Sequence, residues 1–151
     1  MKATLAPLEV DIYTMIPLGI TGSPAVTAFN GNIYVFHHGA NGCGQLWYTS
    51  SADGKTWETD TPVPDLSMSE SPSVVAFNEK IYVFHQGANN CGQLWYTSFS
   101  SKSMKWAPDK EIPFSISDSP AAIVFNDELY CFYHRANECG QLWYINLGKN
   151  I

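Results

Sequence analysis

Three short strings gather the side chains that could do chemistry: His37-His38-Gly39-Ala40-Asn41, His85-Gln86-Gly87-Ala88-Asn89 and Tyr133-His134-Arg135-Ala136-Asn137. Each is followed by a glutamine (Gln45, Gln93, Gln141) and then by a tryptophan (Trp47, Trp95, Trp143). The segments Thr21-Gly22-Ser23, Ser69-Glu70-Ser71 and Ser117-Asp118-Ser119 add hydroxyls and two carboxylates. That mixture suits a sugar, because hydroxyls need donors and acceptors in fixed directions and the C–H face of a pyranose packs on an aromatic ring. The candidate ligand-binding set is therefore His37, His38, Asn41, Gln45, Trp47, Glu70, His85, Gln86, Asn89, Gln93, Trp95, Asp118, His134, Asn137 and Trp143. A purely structural role competes at several of these positions. Asn often satisfies loop backbone groups, and His37, His85 and Tyr133 must face the opposite side of their strands from His38, Gln86 and His134.

Other chemistries fit less well. Glycoside cleavage requires two carboxylates about 5–9.5 Å apart, and Glu70, Asp118 and Glu138 fall in different repeats or loops. The segment Ser51-Ala52-Asp53-Gly54-Lys55-Thr56-Trp57 is similar to the Asp-box of sialidases with one residue missing. That resemblance implies a structural turn away from catalysis, and a sialidase-like site would need three arginines where this chain has only Arg135. A zinc site needs four convergent ligands, whereas each string carries one or two histidines with a single loop cysteine after it. The expectation is a chain that is not an enzyme and carries neither metal nor cofactor.

The elements that must position these residues follow from a repeat. The string CGQLWY begins at Cys43, Cys91 and Cys139, and the Ser-Pro pairs at Ser23, Ser71 and Ser119 recur at the same interval. Within each copy, alternating apolar and polar residues mark short strands, and Asn30-Gly31 between two such runs marks a tight hairpin. Four short antiparallel strands recurring with a period of this length are the unit of a β-propeller blade. The fold class expected is all-β: a single propeller half over residues 1–151, with blades at about 16–60, 63–109 and 112–151. The fourth strands of the first two blades are placed around Trp57 and Trp106, and Pro62 to Ser71 is read as a connection between blades.

Propellers close with about four to eight blades, so three alone leave apolar faces and sheet edges in water. The expectation is a head-to-tail homodimer that forms one six-bladed ring. Trp57 follows Tyr48 by nine residues and Trp106 follows Tyr96 by ten, whereas seven residues follow Tyr144. The alternating stretch within about residues 4–13 is therefore expected to complete the third blade of the partner. Cys43, Cys91 and Cys139 sit at equivalent points of successive blades, too far apart for disulfides, and Cys131 falls in the apolar column of Val35 and Val83.

Composition narrows the partners. A formal net charge of −6 with eight basic residues leaves no footprint for nucleic acid. No apolar run approaches the roughly 20 residues that span a bilayer, and the start MKATLAPLEVDIYTM lacks a signal-peptide core. The chain is expected to be soluble, and cytoplasmic or released without a Sec signal.

The repeat SESPSVVAFNEKIYVFHQGANNCGQLWY resembles the blades of PLL-like bacterial fucose-binding propeller lectins and of mushroom six-bladed lectins specific for N-acetylglucosamine. The resemblance runs from Ser23 to Tyr144 in three passes. It implies a multivalent, non-enzymatic lectin with shallow sites between neighbouring blades and fucosylated or N-acetylglucosamine-terminated glycans as partners. The third copy departs from it at Tyr133-His134-Arg135, where Arg135 replaces a glycine and is expected to remodel the site. A protein-interaction scaffold is the competing class, and a sialidase-like glycoside hydrolase fragment the third.

Overall fold

The computed structural model describes residues 14–136 and 140–151, so the expected strand within residues 4–13 and the candidate Asn137 lie outside the described residues. The architecture is all-β. Its strands are β1 (Ile20–Phe29), β2 (Asn32–Gly39), β3 (Gln45–Ser51), β4 (Thr61–Phe77), β5 (Lys80–Gly87), β6 (Gln93–Ser100), β7 (Lys105–Trp106), β8 (Lys110–Phe125), β9 (Glu128–Arg135) and β10 (Leu142–Gly148). Nine strands pair in chain order into one curled path, with β7 alongside β6. Every pairing is antiparallel. No helix among the described residues is long and apolar enough to cross a membrane.

The hairpins form where the sequence places them. Asn30-Gly31, Asn78-Glu79 and Asn126-Asp127 all hold both central residues at positive φ, the geometry whose twist matches that of flanking strands. The register then repeats: His37 lies opposite Trp47, His85 opposite Trp95 and Tyr133 opposite Trp143.

The segments between the repeats differ from expectation. β4 runs without a break through the stretch read as a connection, its first half pairing with β3 and its second with β5. Its prolines are accommodated because the chain bends at Asp65 and Glu70, both at positive φ, and the register slips between Ser69 and Ser73 around Pro72. β8 repeats the device at Asp118, with a slip between Ser117 and Ala121 around Pro120. Trp57 is not in a strand. The fourth position of the first repeat is instead taken by the start of β4, and only Trp106 of the equivalent pair lies in a strand, β7.

Ahead of Trp57, the Asp-box-like segment closes as a turn. Asp53 Oδ1 accepts from the backbone N–H groups of Lys55 at 2.8 Å and Thr56 at 2.7 Å, and from the Ser51 hydroxyl at 3.1 Å. Those backbone donors, Thr56 first, hold the Asp53 carboxyl down from 3.8 to about 2. A depressed folded-state value contributes stability that is complete above the ordinary value and lost as pH falls through the lower one. An NMR titration of the Asp53 carboxyl carbon is expected to show a midpoint near 2, and an ordinary carboxylate midpoint would mean the turn is open.

Two cores lie between successive sheets. Phe29, Phe36 and Leu46 of the first repeat pack against Val74, Ile81 and Val83 of the second. Phe77, Phe84 and Leu94 of the second pack in turn against Leu129 and Cys131 of the third. Burial pushes the Cys131 thiol up to about 12, as suits an inert small apolar filler.

Candidate functional site

Side chains at the ends of β2, β5 and β9 meet the bends of β4 and β8 in the seams between repeats. The first seam holds a cavity of about 710 Å³ lined by His38, Gln45, Glu70 and Asn89, with Ser67 and Ser69. The second holds one of about 500 Å³ lined by Gln86, Ser115, Ser117, Asp118 and Glu70. These are one site written twice. One repeat step along the chain carries His38, Ser67, Ser69 and Glu70 of the first onto Gln86, Ser115, Ser117 and Asp118 of the second. The step also carries Gly22 onto Glu70, so the first cavity has one carboxylate and the second has two.

Local hydrogen bonds explain why the loops hold this shape. Thr21 Oγ1 donates to the Gly39 carbonyl at 2.9 Å and accepts from the Gly42 N–H at 2.9 Å. Ser69 Oγ makes the equivalent bond to the Gly87 carbonyl at 2.6 Å. His38 Nε2 accepts from the Gly44 N–H at 2.9 Å, which requires an unprotonated Nε2. Burial lowers the His38 pKa first, the Glu70 carboxylate opposes it, and His37 adds to the lowering. The tautomer that fits the Gly44 contact carries its proton on Nδ1.

A third cavity of about 710 Å³ lies beside Trp95 and Gln93, between the β4 segment Pro64 to Ser67 and the segment Trp106 to Asp109. Trp95 lies flat on Gly87: a β-carbon there would stand 2.8 Å from Trp95 Nε1 and 2.6 Å from Cys91 Sγ. Trp47 covers Gly39 in the same way. Nε1 of both indoles is buried without a hydrogen-bond partner. In the third repeat Arg135 occupies the glycine position, its guanidinium sits 4.6 Å over the Trp143 ring, and Trp143 Nε1 donates to Gln141 Oε1 at 3.3 Å. An arginine covers that indole where the others are covered by backbone.

Other expected site residues fall elsewhere. His37 and His85 are fully buried and line none of these cavities. Nε2 of His37 lies 3.0 Å from Asp60 Oδ1, and Nε2 of His85 lies 3.1 Å from Asp109 Oδ1. Nδ1 of each faces the carbonyl of the next residue, at 3.3 Å for His37 and 3.1 Å for His85. Asn41 lies outside the three cavities, and both Asn41 and Asn89 sit in the left-handed backbone region, a conformation that favours asparagine by itself. His134 is exposed and within 3.1 Å of the Ser117 hydroxyl. Sequence reasoning passed over Ser67 and Ser115, although their recurrence at the repeat interval was a signal, and it passed over Asp60 and Asp109.

No family model matches the chain, and neither does any curated protein sequence. By shape it is similar to a glycoside hydrolase family 43 arabinoxylan arabinofuranohydrolase from Bacillus subtilis, with a TM-score of 0.62, 17 % identity, and 89 % of this chain matched to 39 % of that one. A Bombyx mori family 32 beta-fructofuranosidase gives 0.60 and 13 % over 89 % of this chain and 34 % of its own. A Bacteroides ovatus family 43 protein gives 0.59 and 14 % over 85 % and 28 %. The fold is that of propeller glycoside hydrolases. This chain spans about 28 to 39 % of the length of those three.

The expectation of a chain without enzymatic character is thereby corrected: the three solved structures named above, which share its fold, are glycoside hydrolases. One premise of that expectation also changes in the second cavity. Glu70 and Asp118 were separated by their assignment to different repeats, yet both line one seam, because each seam is built from the bends of two successive long strands.

Proposed function

We propose that the chain is a carbohydrate-recognising propeller arc of three four-stranded blades that holds sugars in its seams. The observation that carries this reading is the recurrence of one polar cavity a single repeat step along the chain. Its groups are a neutral imidazole or amide, two serine hydroxyls and a carboxylate. That set pairs with neighbouring sugar hydroxyls and offers no cationic side chain to a phosphate. Fucose and N-acetylglucosamine are the first ligands to test, on the resemblance of the repeats. Single sites of this openness bind weakly, and repetition on one rigid scaffold gains on the order of 10²–10⁴ in avidity. On immobilised fucosylated and N-acetylglucosamine-terminated glycans, Gln86→Ala is expected to lower retention at least several-fold with the circular dichroism spectrum unchanged. Full retention would remove the seam from the reading.

A second reading has its own support in the fold likeness and in the carboxylate pair of the second cavity. In glycosidic cleavage one carboxyl protonates the leaving oxygen while the other attacks the sugar or activates water. Glu70 and Asp118 both line the second cavity and are the pair to which this reading assigns those roles. Against a panel of aryl glycosides, Glu70→Gln and Asp118→Asn are each expected to lower any release of the aryl alcohol on the order of 10²-fold or more. Turnover that survives both substitutions would exclude this pair.

A further inference from the structure

Among the described residues, the two ends of the strand path carry unpartnered faces that are repeat copies of the faces packed together inside the chain. On the third repeat Leu142 is 76 % exposed, whereas its equivalents Leu46 and Leu94 are 0 % exposed. Phe125 and Tyr144 are exposed beside it, while Phe29 and Phe77 are buried. On the opposite face of the first repeat Val26 is 61 % exposed, whereas its equivalent Val74 is 9 % exposed in the core against Phe29 and Leu46. Ile33 is likewise exposed where Ile81 is buried.

A polar ladder points the same way. The Ser23 N–H donates to Ser71 Oγ at 2.8 Å, and the Ser71 N–H donates to Ser119 Oγ at 3.0 Å, each bond crossing one seam. At the third rung the Ser119 N–H instead donates to its neighbour Asp118 at 2.7 Å. The next acceptor in the series is a Ser23 hydroxyl, and this chain's own Ser23 is two seams away.

We infer that a second copy of this chain docks head to tail, so that each copy's Val26 and Ile33 face covers its partner's Phe125, Leu142 and Tyr144 face. The occupant is fixed by continuity: the surface that covers Leu46 and Leu94 is the next repeat, and the first repeat of another copy has that surface bare. Two copies of the three repeats described here fall within the range of about four to eight blades in closed propellers. A two-fold ring then covers the end faces of both chains. Trp106 of the second repeat packs on Phe36 and Tyr48 of the first at 6.0 and 5.8 Å, so each internal seam is closed by side chains of both repeats. The new seam joins Asp118 and His134 to the partner's Thr21 and the partner's Gly22. Reading that seam as a further sugar site rests on the proposed function, whereas the assembly does not.

Light scattering across a dilution series of the full chain is expected to give twice the mass of a single copy at every concentration. A folded species at the single-chain mass, or a mass above two chains, would overturn the proposal. Ser23→Cys combined with Ser119→Cys is expected to yield an oxidant-dependent band at the mass of two chains, absent from either single variant. A dimer that fails to cross-link in this way would refute the head-to-tail register. Leu142→Arg, at a site exposed in the single chain, is expected to halve the mass while the circular dichroism spectrum is kept. An unchanged mass would equally defeat the inference, and should that variant unfold, the cysteine pair decides. Neither readout involves a sugar, so a failed glycan assay and a failed assembly are separable.

Discussion

Replacing Phe36 by alanine is expected to cost the chain about 3–5 kcal/mol, the range for deleting a fully buried aromatic ring. Phe36 is completely buried at the centre of the first core. Its ring stacks on Tyr48 at 5.5 Å and meets the edge of Trp106 at 6.0 Å, so its removal opens a void on both sides of the seam. Domains of this size are stable by about 5–15 kcal/mol, and the loss is therefore a large share of the whole. The same substitution can be made at two equivalent points. Phe84 is as deeply buried, whereas Phe132 is only partly so. Urea denaturation of the three variants is expected to rank Phe36→Ala and Phe84→Ala together and Phe132→Ala well below them in the Leu142→Arg background, where the chain is single. The gap is expected to narrow as two copies close the ring, because Phe132 then acquires the cover that Phe36 already has. A loss below about 1 kcal/mol for Phe36→Ala would mean that the first two repeats are not packed through this ring.

How much of this was legible in the sequence depends on whether a feature is local. The hairpins at Asn30, Asn78 and Asn126 and the turn around Asp53 were readable because side chain and backbone requirements coincide within a few residues. The strands that carry Phe29, Phe36 and Leu46 followed from alternation with a period of two. The long strands β4 and β8 were not readable, since proline ordinarily marks a loop and nothing in composition shows that a bulge will absorb Pro72. The enzyme question turned on the same point. Glu70 and Asp118 look remote when the chain is cut into repeats, but a cavity built from two successive bends collects both. His37 and His85 were offered as ligand residues from their neighbourhood with His38 and Gln86. Their carboxylate partners lie 23 and 24 residues onward, in irregular segments that no periodicity places.

Those histidines supply the second large effect. His85→Ala is expected to destabilise the chain by about 3 kcal/mol, the lower end of the range for breaking a buried charged or hydrogen-bonded pair. The lower end applies because Asp109 is at the rim, with 16 % of its side chain exposed, so water can reach the orphaned carboxylate. The imidazole itself is fully buried, and its loss also leaves a cavity. Asp109→Ala costs less, and the pair in a double-mutant cycle is expected to couple by more than about 1 kcal/mol, as groups in one hydrogen-bond network do. His37 and Asp60, with the same geometry one repeat earlier, are expected to behave alike. The effect should extend to the site. Nδ1 of His85 faces the carbonyl of Gln86, a residue of the second cavity, and Asp109 borders the third beside Trp95. Sugar retention by His85→Ala, measured where the variant remains folded, is therefore expected to fall together with stability, whereas Gln86→Ala lowers retention alone. Coupling near zero in the cycle would reduce the two contacts to incidental proximity and leave the orientation of Gln86 to its own strand.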